Sequence, residues 1–228
     1  MDLTINGTSL ASLGVIIENR TNFVKPNRRH SIQMTEGVDG SNVEEYGYDS
    51  YSLSYKLTLT DSDKFDEITA LIDGDIILEV ADDPGKFFYA KVLEGVPYSP
   101  LAIWRQVTVE FYIYDPFRYV KEEADVTLTS FPTVINYNGS TVSFPLLKIT
   151  GTGLVTITLN GISLSYSFDT PYVYIECMPG PDRGSYYFAD LKNRRKTGGY
   201  PYLSPGSNNL TVSGSVSEIV VSKRTRYL

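Results

Sequence analysis

Histidine and cysteine are almost missing from this chain: His30 and Cys177 are the only ones in 228 residues. A single cysteine can form no intrachain disulfide and no cysteine-rich metal site. One histidine leaves no partner for a Ser–His or Cys–His nucleophile, and a zinc or iron site built on these residues is excluded. His30 follows Arg28-Arg29 in a polar stretch, where a solvated imidazole is expected. No glycine-rich loop follows a strand and opens a helix, so no phosphate cradle is expected. No stretch approaches the ~18 consecutive apolar residues of a membrane-spanning helix. Met1-Asp2-Leu3-Thr4 has neither the basic start nor the apolar run of a signal peptide. These absences point away from catalysis, cofactors and membrane insertion.

Carboxylates, by contrast, are plentiful. Asp82-Asp83 and Glu44-Glu45 are the obvious pairs for glycosidase chemistry, but both lie in turn-like, exposed segments where a raised pKa is hard to arrange. Asp61, Asp63, Asp66 and Glu67 depart from calcium-loop spacing and suit the start of a helix better. The net charge of −7 is unevenly spread. Residues 1–182 carry 12 basic and 25 acidic side chains, a balance of −13, whereas residues 183–228 carry 8 and 2, a balance of +6. The acidic bulk argues against a dedicated nucleic-acid binder. The basic end, with Lys192, Arg194, Arg195 and Lys196, reads either as a solvated loop and strand or as a docking surface for an acidic partner.

Aromatics make up 13% of the chain and tyrosine alone occurs 18 times, a composition that favours half-buried pleated surfaces. Residues 103–114 alternate strictly, with Val107, Val109, Phe111 and Ile113 against Gln106, Thr108, Glu110 and Tyr112. That period of two demands a sheet with one buried face. Asp115-Pro116 then ends it, because proline removes a ladder donor and restricts its predecessor. A second such strand carries Leu53, Tyr55, Leu57 and Leu59. One helix is expected, capped by Asp61 or Ser62, striped with Phe65, Ile68, Leu71 and Ile72, and stopped at Gly74. Asp82-Asp83-Pro84-Gly85 predicts a hairpin turn, and Asn160-Gly161 a type I′ turn. Residues 192–209, rich in Gly, Pro and basic residues, read as a long surface loop. Strands dominate the second half without helical period, which indicates a β-sandwich.

The fold expected is therefore mainly β, with domains over 1–120 and 121–228. The stretch Phe111-Tyr112-Ile113-Tyr114-Asp115-Pro116-Phe117-Arg118-Tyr119 resembles the aromatic-x-Asp-Pro-Phe-x-Tyr run that closes the first domain of a known family. The segment from Gly199 to Leu210, which includes Pro201, Leu203, Pro205 and Gly206, is similar to that family's Phe-Pro-x-Leu-x-Pro-Gly-x-Asn segment, with Tyr200 in place of Phe. Glu36-Gly37-Val38-Asp39-Gly40 resembles its Pro-Gly-Arg-Asp-Gly loop without the Pro and Arg. The family is that of the distal tail proteins (Dit) of long-tailed phages infecting Gram-positive bacteria.

This resemblance implies an N-terminal β-rich ring-forming domain with one α-helix and an extended hairpin, and a C-terminal galectin-like β-sandwich projecting as an arm. It implies a homo-hexamer at the distal end of the phage tail in the virion, made in the host cytoplasm. Its partners would be the tail tube protein, the tail-associated lysin or fibre hub, and a receptor-binding protein on the arm. DNA would pass through its channel without specific binding. Asp115, Pro116, Phe117 and Tyr119 are expected to be structural. Arg28, Arg29, Asp39, Asp82, Asp83 and the basic set at 192–196 are candidate assembly contacts. True galectins need His and Trp in their sugar site, and the second half here has neither. The alternative function is a carbohydrate-binding module for cell-wall polysaccharide, using Trp104 or a tyrosine-rich face.

Overall fold

A computed structural model of the chain describes residues 2–20, 25–96, 98–100, 105–187 and 192–228. Strand accounts for 56% and helix for 6% of it, so the protein is mainly β. The chain divides into two compact units, residues 1–118 together with Leu228, and residues 119–227.

The first unit contains β1 (Leu3–Ile5), β2 (Thr8–Ser9), β3 (Val15–Arg20), β4 (Arg28–Gln33), β5 (Asn42–Tyr48), β6 (Tyr51–Leu59), α1 (Phe65–Leu71), β7 (Ile76–Val80), β8 (Lys86–Lys91), β9 (Tyr98–Pro100) and β10 (Arg105–Ile113). Hydrogen bonding gives the order β2–β1–β7–β8–β10–β6–β3, with β9 also on β10. The alternation read in the sequence is realised between β6 and β10, which pair antiparallel from Tyr51↔Ile113 to Leu59↔Arg105. Leu53, Tyr55, Leu57, Val107, Val109 and Phe111 form the core, and Tyr55 meets Phe111 edge-on at 5.9 Å. The first residues expected in this last strand, Ile103 and Trp104, lie outside the described residues.

The helix begins later than the capping pattern suggests. Residues 62–64 form a 3₁₀ turn, and the Asp63 N–H donates to Asp61 Oδ1 at 3.0 Å before α1 starts at Phe65. Ile68 and Ile72 bury against the sheet, and Gly74 takes a left-handed conformation at φ 78°. At the other turn the Asp83 N–H donates to Val80 O and Gly85 sits at φ 82°, closing β7 onto β8. Among the described residues β4 and β5 pair only with each other and form a separate two-stranded ribbon.

In the second unit the strands are β11 (Arg118–Val120), β12 (Val126–Leu128), β13 (Thr133–Tyr137), β14 (Leu146–Leu159), β15 (Ile162–Ser167), β16 (Tyr172–Glu176), β17 (Gly184–Tyr186), β18 (Lys192–Asn193), β19 (Lys196–Gly198), β20 (Gly206–Ser222) and β21 (Arg226–Tyr227). β11 begins at Arg118, the last residue of the first unit before the division. The expected sandwich arises from two long strands that bend. One half of β14 pairs with β16 and the C-terminal end of β20, and the other with β15 and an earlier stretch of β20. Register shifts at Thr150/Gly151 and Thr152/Thr156 mark the bend, which is how one strand serves two layers. Ile149, Val173 and Ile219 from one layer face Ile157, Leu164 and Leu210 from the other in a single core.

Segment 192–209 departs from its expected loop character. It holds β18, β19 and the start of β20, and one of its glycines serves a close backbone approach rather than slack. Gly198 lies at φ 82°, and a Cβ there would fall 2.5 Å from Ser163 O.

Candidate assembly surfaces

The β4–β5 ribbon is the part of the first unit least supported by its own fold. Ile32 opposes Val43 across it, and these side chains remain 53% and 51% exposed. Met34 is 84% and Val38 64% exposed at the tip. Gly37 and Gly40, both at positive φ, turn the tip back without crowding. A lone two-stranded ribbon is marginal in water, so an apolar pair displayed on one calls for a covering surface.

Arg28 and Arg29, expected as contacts, brace the base of this ribbon. Arg28 pairs with Glu45, donates to the Tyr48 hydroxyl at 2.9 Å and lies 4.8 Å from the Tyr48 ring centre. Arg29 reaches Asp49 at 3.3 Å. Asp39 sits exposed in the tip loop. His30 is exposed, with Nδ1 3.1 Å from Arg28 O.

Asp83 is a clamp inside the first unit. Its carboxylate accepts hydrogen bonds from Lys86 and from Arg118, each at 2.7 Å. Partial burial pushes its pKa up, but the two cationic donors outweigh that and hold it below the usual range. Asp82 beside it is exposed. At the corner, the Phe117 N–H donates to Asp115 Oδ1 at 3.3 Å, spanning Pro116. Phe117 is buried and meets Tyr48 edge-on at 5.6 Å. Tyr119 is buried in the second unit.

Much of the basic end finds partners within its own unit. Arg195 pairs with Asp169 at 2.7 Å, Lys192 with Asp182 at 3.6 Å, Lys223 with Glu123 at 3.4 Å and Arg224 with Glu176 at 2.6 Å. The Lys196 ammonium stands 3.7 Å from the Tyr200 ring centre and Arg183 4.6 Å from it, which explains an aromatic at that place in the 199–210 segment. Desolvation, with Arg183 nearby, lowers the Lys196 pKa. Arg194 is exposed.

The same segment hides a residue that the sequence reading passed over. Pro201 and Leu203 are buried, Leu203 exchanging both backbone hydrogen bonds with Ser143, while Pro205 and Gly206 turn at the surface. Asn208, fully buried two residues later, donates from Nδ2 to Ile135 O, Ser204 O and Gly206 O at 3.2, 2.9 and 2.9 Å. Its Oδ1 accepts from Asn160 Nδ2 at 2.6 Å and from the Ser204 N–H at 2.8 Å. The amide thus ties the turn at Pro205-Gly206 to the Asn160-Gly161 hairpin. The signal was available, since the resembled motif ends in Asn.

Among the described residues no group of three or more His, Cys, Asp or Glu side chains could hold a metal ion. Cys177 is buried, and burial pushes its thiol up to about 12. Among the described residues no helix is long and apolar enough to cross a membrane. Trp104, one proposed sugar platform, lies outside the described residues. The other is a tyrosine row across β16 and β17. Tyr174 stacks on Tyr186 at 5.3 Å, Tyr172 meets Tyr187 at 4.7 Å, and Lys148 covers the Tyr172 ring at 4.8 Å. Tyr172 is tilted 44° to Tyr187 and stands edge-on to Tyr174 at 81°, so the rings share no single plane for stacking on sugars.

A solved structure matches this architecture along its whole length. The chain superposes with a TM-score of 0.73 on the SPP1 Dit protein (gp 19.1), described as a paradigm of the hub adsorption apparatus in Gram-positive infecting phages; 100% of this chain and 99% of that one are covered, at 15% identity. The chain has the Dit fold. A chain of the phage P2 baseplate in its activated, calcium-containing conformation shares the Dit fold more distantly, with a TM-score of 0.52, 9% identity, and 96% and 97% of the two chains covered. No protein-family model and no curated protein sequence matches the chain.

Proposed function

We propose that the protein is a structural hub of a phage tail tip: a homo-hexameric ring joining the tail tube to the tail-associated lysin or fibre hub. The observation that carries this reading is the full-length likeness to a hub protein despite only 15% identity. Residues 1–120 form the ring and 121–228 the arm, which can carry a receptor-binding protein. The exposed Ile32–Val43 ribbon supplies an apolar surface suited to contact between copies. The excess acidity of residues 1–182 suits a channel that passes DNA without holding it, since like charge repels phosphate. The role is assembly rather than catalysis, at the distal end of the virion tail after synthesis in the host cytoplasm.

Light scattering across a concentration series tests this directly. A six-fold mass, alone or with tail tube protein present, is the expected result. A monomer at every concentration, inert towards tail components, refutes it.

A further inference from the structure

Among the cavities that open on the first unit, two differ sharply in charge. One, of about 460 Å³ beside α1, is rimmed by Asp66, Asp73 and Glu94. The other, of about 350 Å³, is floored by Pro26, Tyr51, Phe88 and Pro116 and rimmed by Leu228, by Arg118, which Asp83 and Leu228 O already hold, and by the exposed Lys25. This second cavity lies at the root of the β4–β5 ribbon, since Lys25 and Pro26 precede β4 and Tyr51 follows β5. The ribbon tip presents the opposite pattern: exposed Met34 and Val38 with exposed Glu36 and Asp39. Apolar side chains flanked by carboxylates match an apolar cavity with the exposed Lys25 ammonium at its edge, and would be repelled by the acidic groove.

The tip cannot serve its own root. From Arg28 to Gly37 an extended strand spans roughly 30 Å. We infer that the tip of the β4–β5 ribbon, with Met34 and Val38, docks into the Pro26–Tyr51–Phe88–Pro116 cavity of a second copy of this chain, with Asp39 against the Lys25 of that cavity. This rests on the ring proposal and names its two complementary patches. Tip-to-root contact is heterologous: each copy offers one tip and one root, so repetition closes a ring when the rotation allows. It also covers Met34 and Val38, which the ribbon leaves in solvent.

The contact is testable by charge exchange at two exposed positions that no core packing depends on. Lys25→Glu alone sets a carboxylate at the root against the Asp39 carboxylate of the tip. Asp39→Lys alone sets an ammonium at the tip against the Lys25 ammonium of the root. Each variant should self-associate at least ~10-fold more weakly than wild type in sedimentation or light scattering. Mixing the two variants should restore assembly, because alternating copies then place opposite charges at every contact. A change in the fold of either chain would not be rescued by mixing. As a direct probe, chains bearing Val38→Cys and chains bearing Lys25→Cys, mixed and mildly oxidised, should yield a disulfide-linked pair of unlike chains. Rings that survive both charge variants and give no such pair overturn this contact but leave the hub reading standing. A wild-type chain that stays monomeric with and without tube protein overturns both.

Discussion

Replacing Asn208 with alanine should cost far more stability than a small polar residue near a turn ordinarily would. The substitution empties a fully buried site, taking side-chain donors from Ile135 O, Ser204 O and Gly206 O and the acceptor from the Ser204 N–H and Asn160 Nδ2. Each buried group left unpaired costs ~1–3 kcal/mol. Asn160 and Gly206 are exposed and Ser204 is half-buried, so water can replace much of what they lose, and the cost falls mainly on the buried Ile135 O contact and the emptied side-chain site. A total of about 2 kcal/mol follows, non-additivity included. For a unit of this size, with a urea slope of ~1.5 kcal/mol per molar, the midpoint should fall by about 1.3 M.

Hydrogen exchange on peptides spanning 130–140 and 200–213, followed against urea, reads that unit without mixing in the other. Asn208→Asp should be worse than alanine at neutral pH, because a carboxylate oxygen would face the carbonyls that Nδ2 now serves. Burial beside those carbonyls raises its folded pKa above the unfolded ~3.9. The deficit of that variant should therefore be smallest below about pH 4 and grow as pH rises through the folded pKa. A midpoint shift under about 0.5 M for alanine, or an aspartate variant equal to wild type at pH 7, would refute the network argument.

Further outcomes follow from the same geometry. Thiol reagents should leave Cys177 unlabelled in the native protein and react fully in urea, since burial holds its thiol at about 12; rapid native labelling would contradict the buried core position. Glu18 accepts hydrogen bonds from Thr58, Lys56 and Gln106, which lower its pKa from 4.5 to about 2. Its contribution to stability is present above the unfolded pKa and fades as pH falls from about 4.5 towards about 2, a loss that Glu18→Gln should abolish and an NMR titration of the carboxyl should place. Phe117→Ala should cost ~3 kcal/mol in the first unit, by loss of a buried ring packed on Tyr48, while exchange in peptides beyond residue 125 stays unchanged. Gly139→Ala should destabilise the second unit, because its Cβ would fall 2.1 Å from the Tyr137 hydroxyl and 2.7 Å from Arg226 O; a thermal midpoint equal to wild type would contradict that crowding.

Local pattern already specified the strands β6, β10 and β15, the turns at Asp82–Gly85 and Asn160-Gly161, the helix near residue 65 and the stop at Asp115-Pro116. Each of these depends on side-chain periodicity or on the backbone freedom of adjacent residues, and both travel with the chain itself. The near absence of His and Cys likewise settled which chemistries had no ligands or nucleophiles available. Other features depended on which distant residues meet. Arg28, Asp83, Arg195 and Lys192 read along the chain as candidate contacts to other subunits, yet each is engaged by a partner within its own unit, at separations from 3 to 35 residues. The glycines of 192–209 read as slack, but Gly198 is required where two backbones nearly touch. Asn208 stood in a segment read as a surface loop, yet folding sets it, fully buried, against Ile135, 73 residues away. Hydrogen-bond partnership and burial belong to pairs of residues, and only the tertiary structure decides which pairs exist.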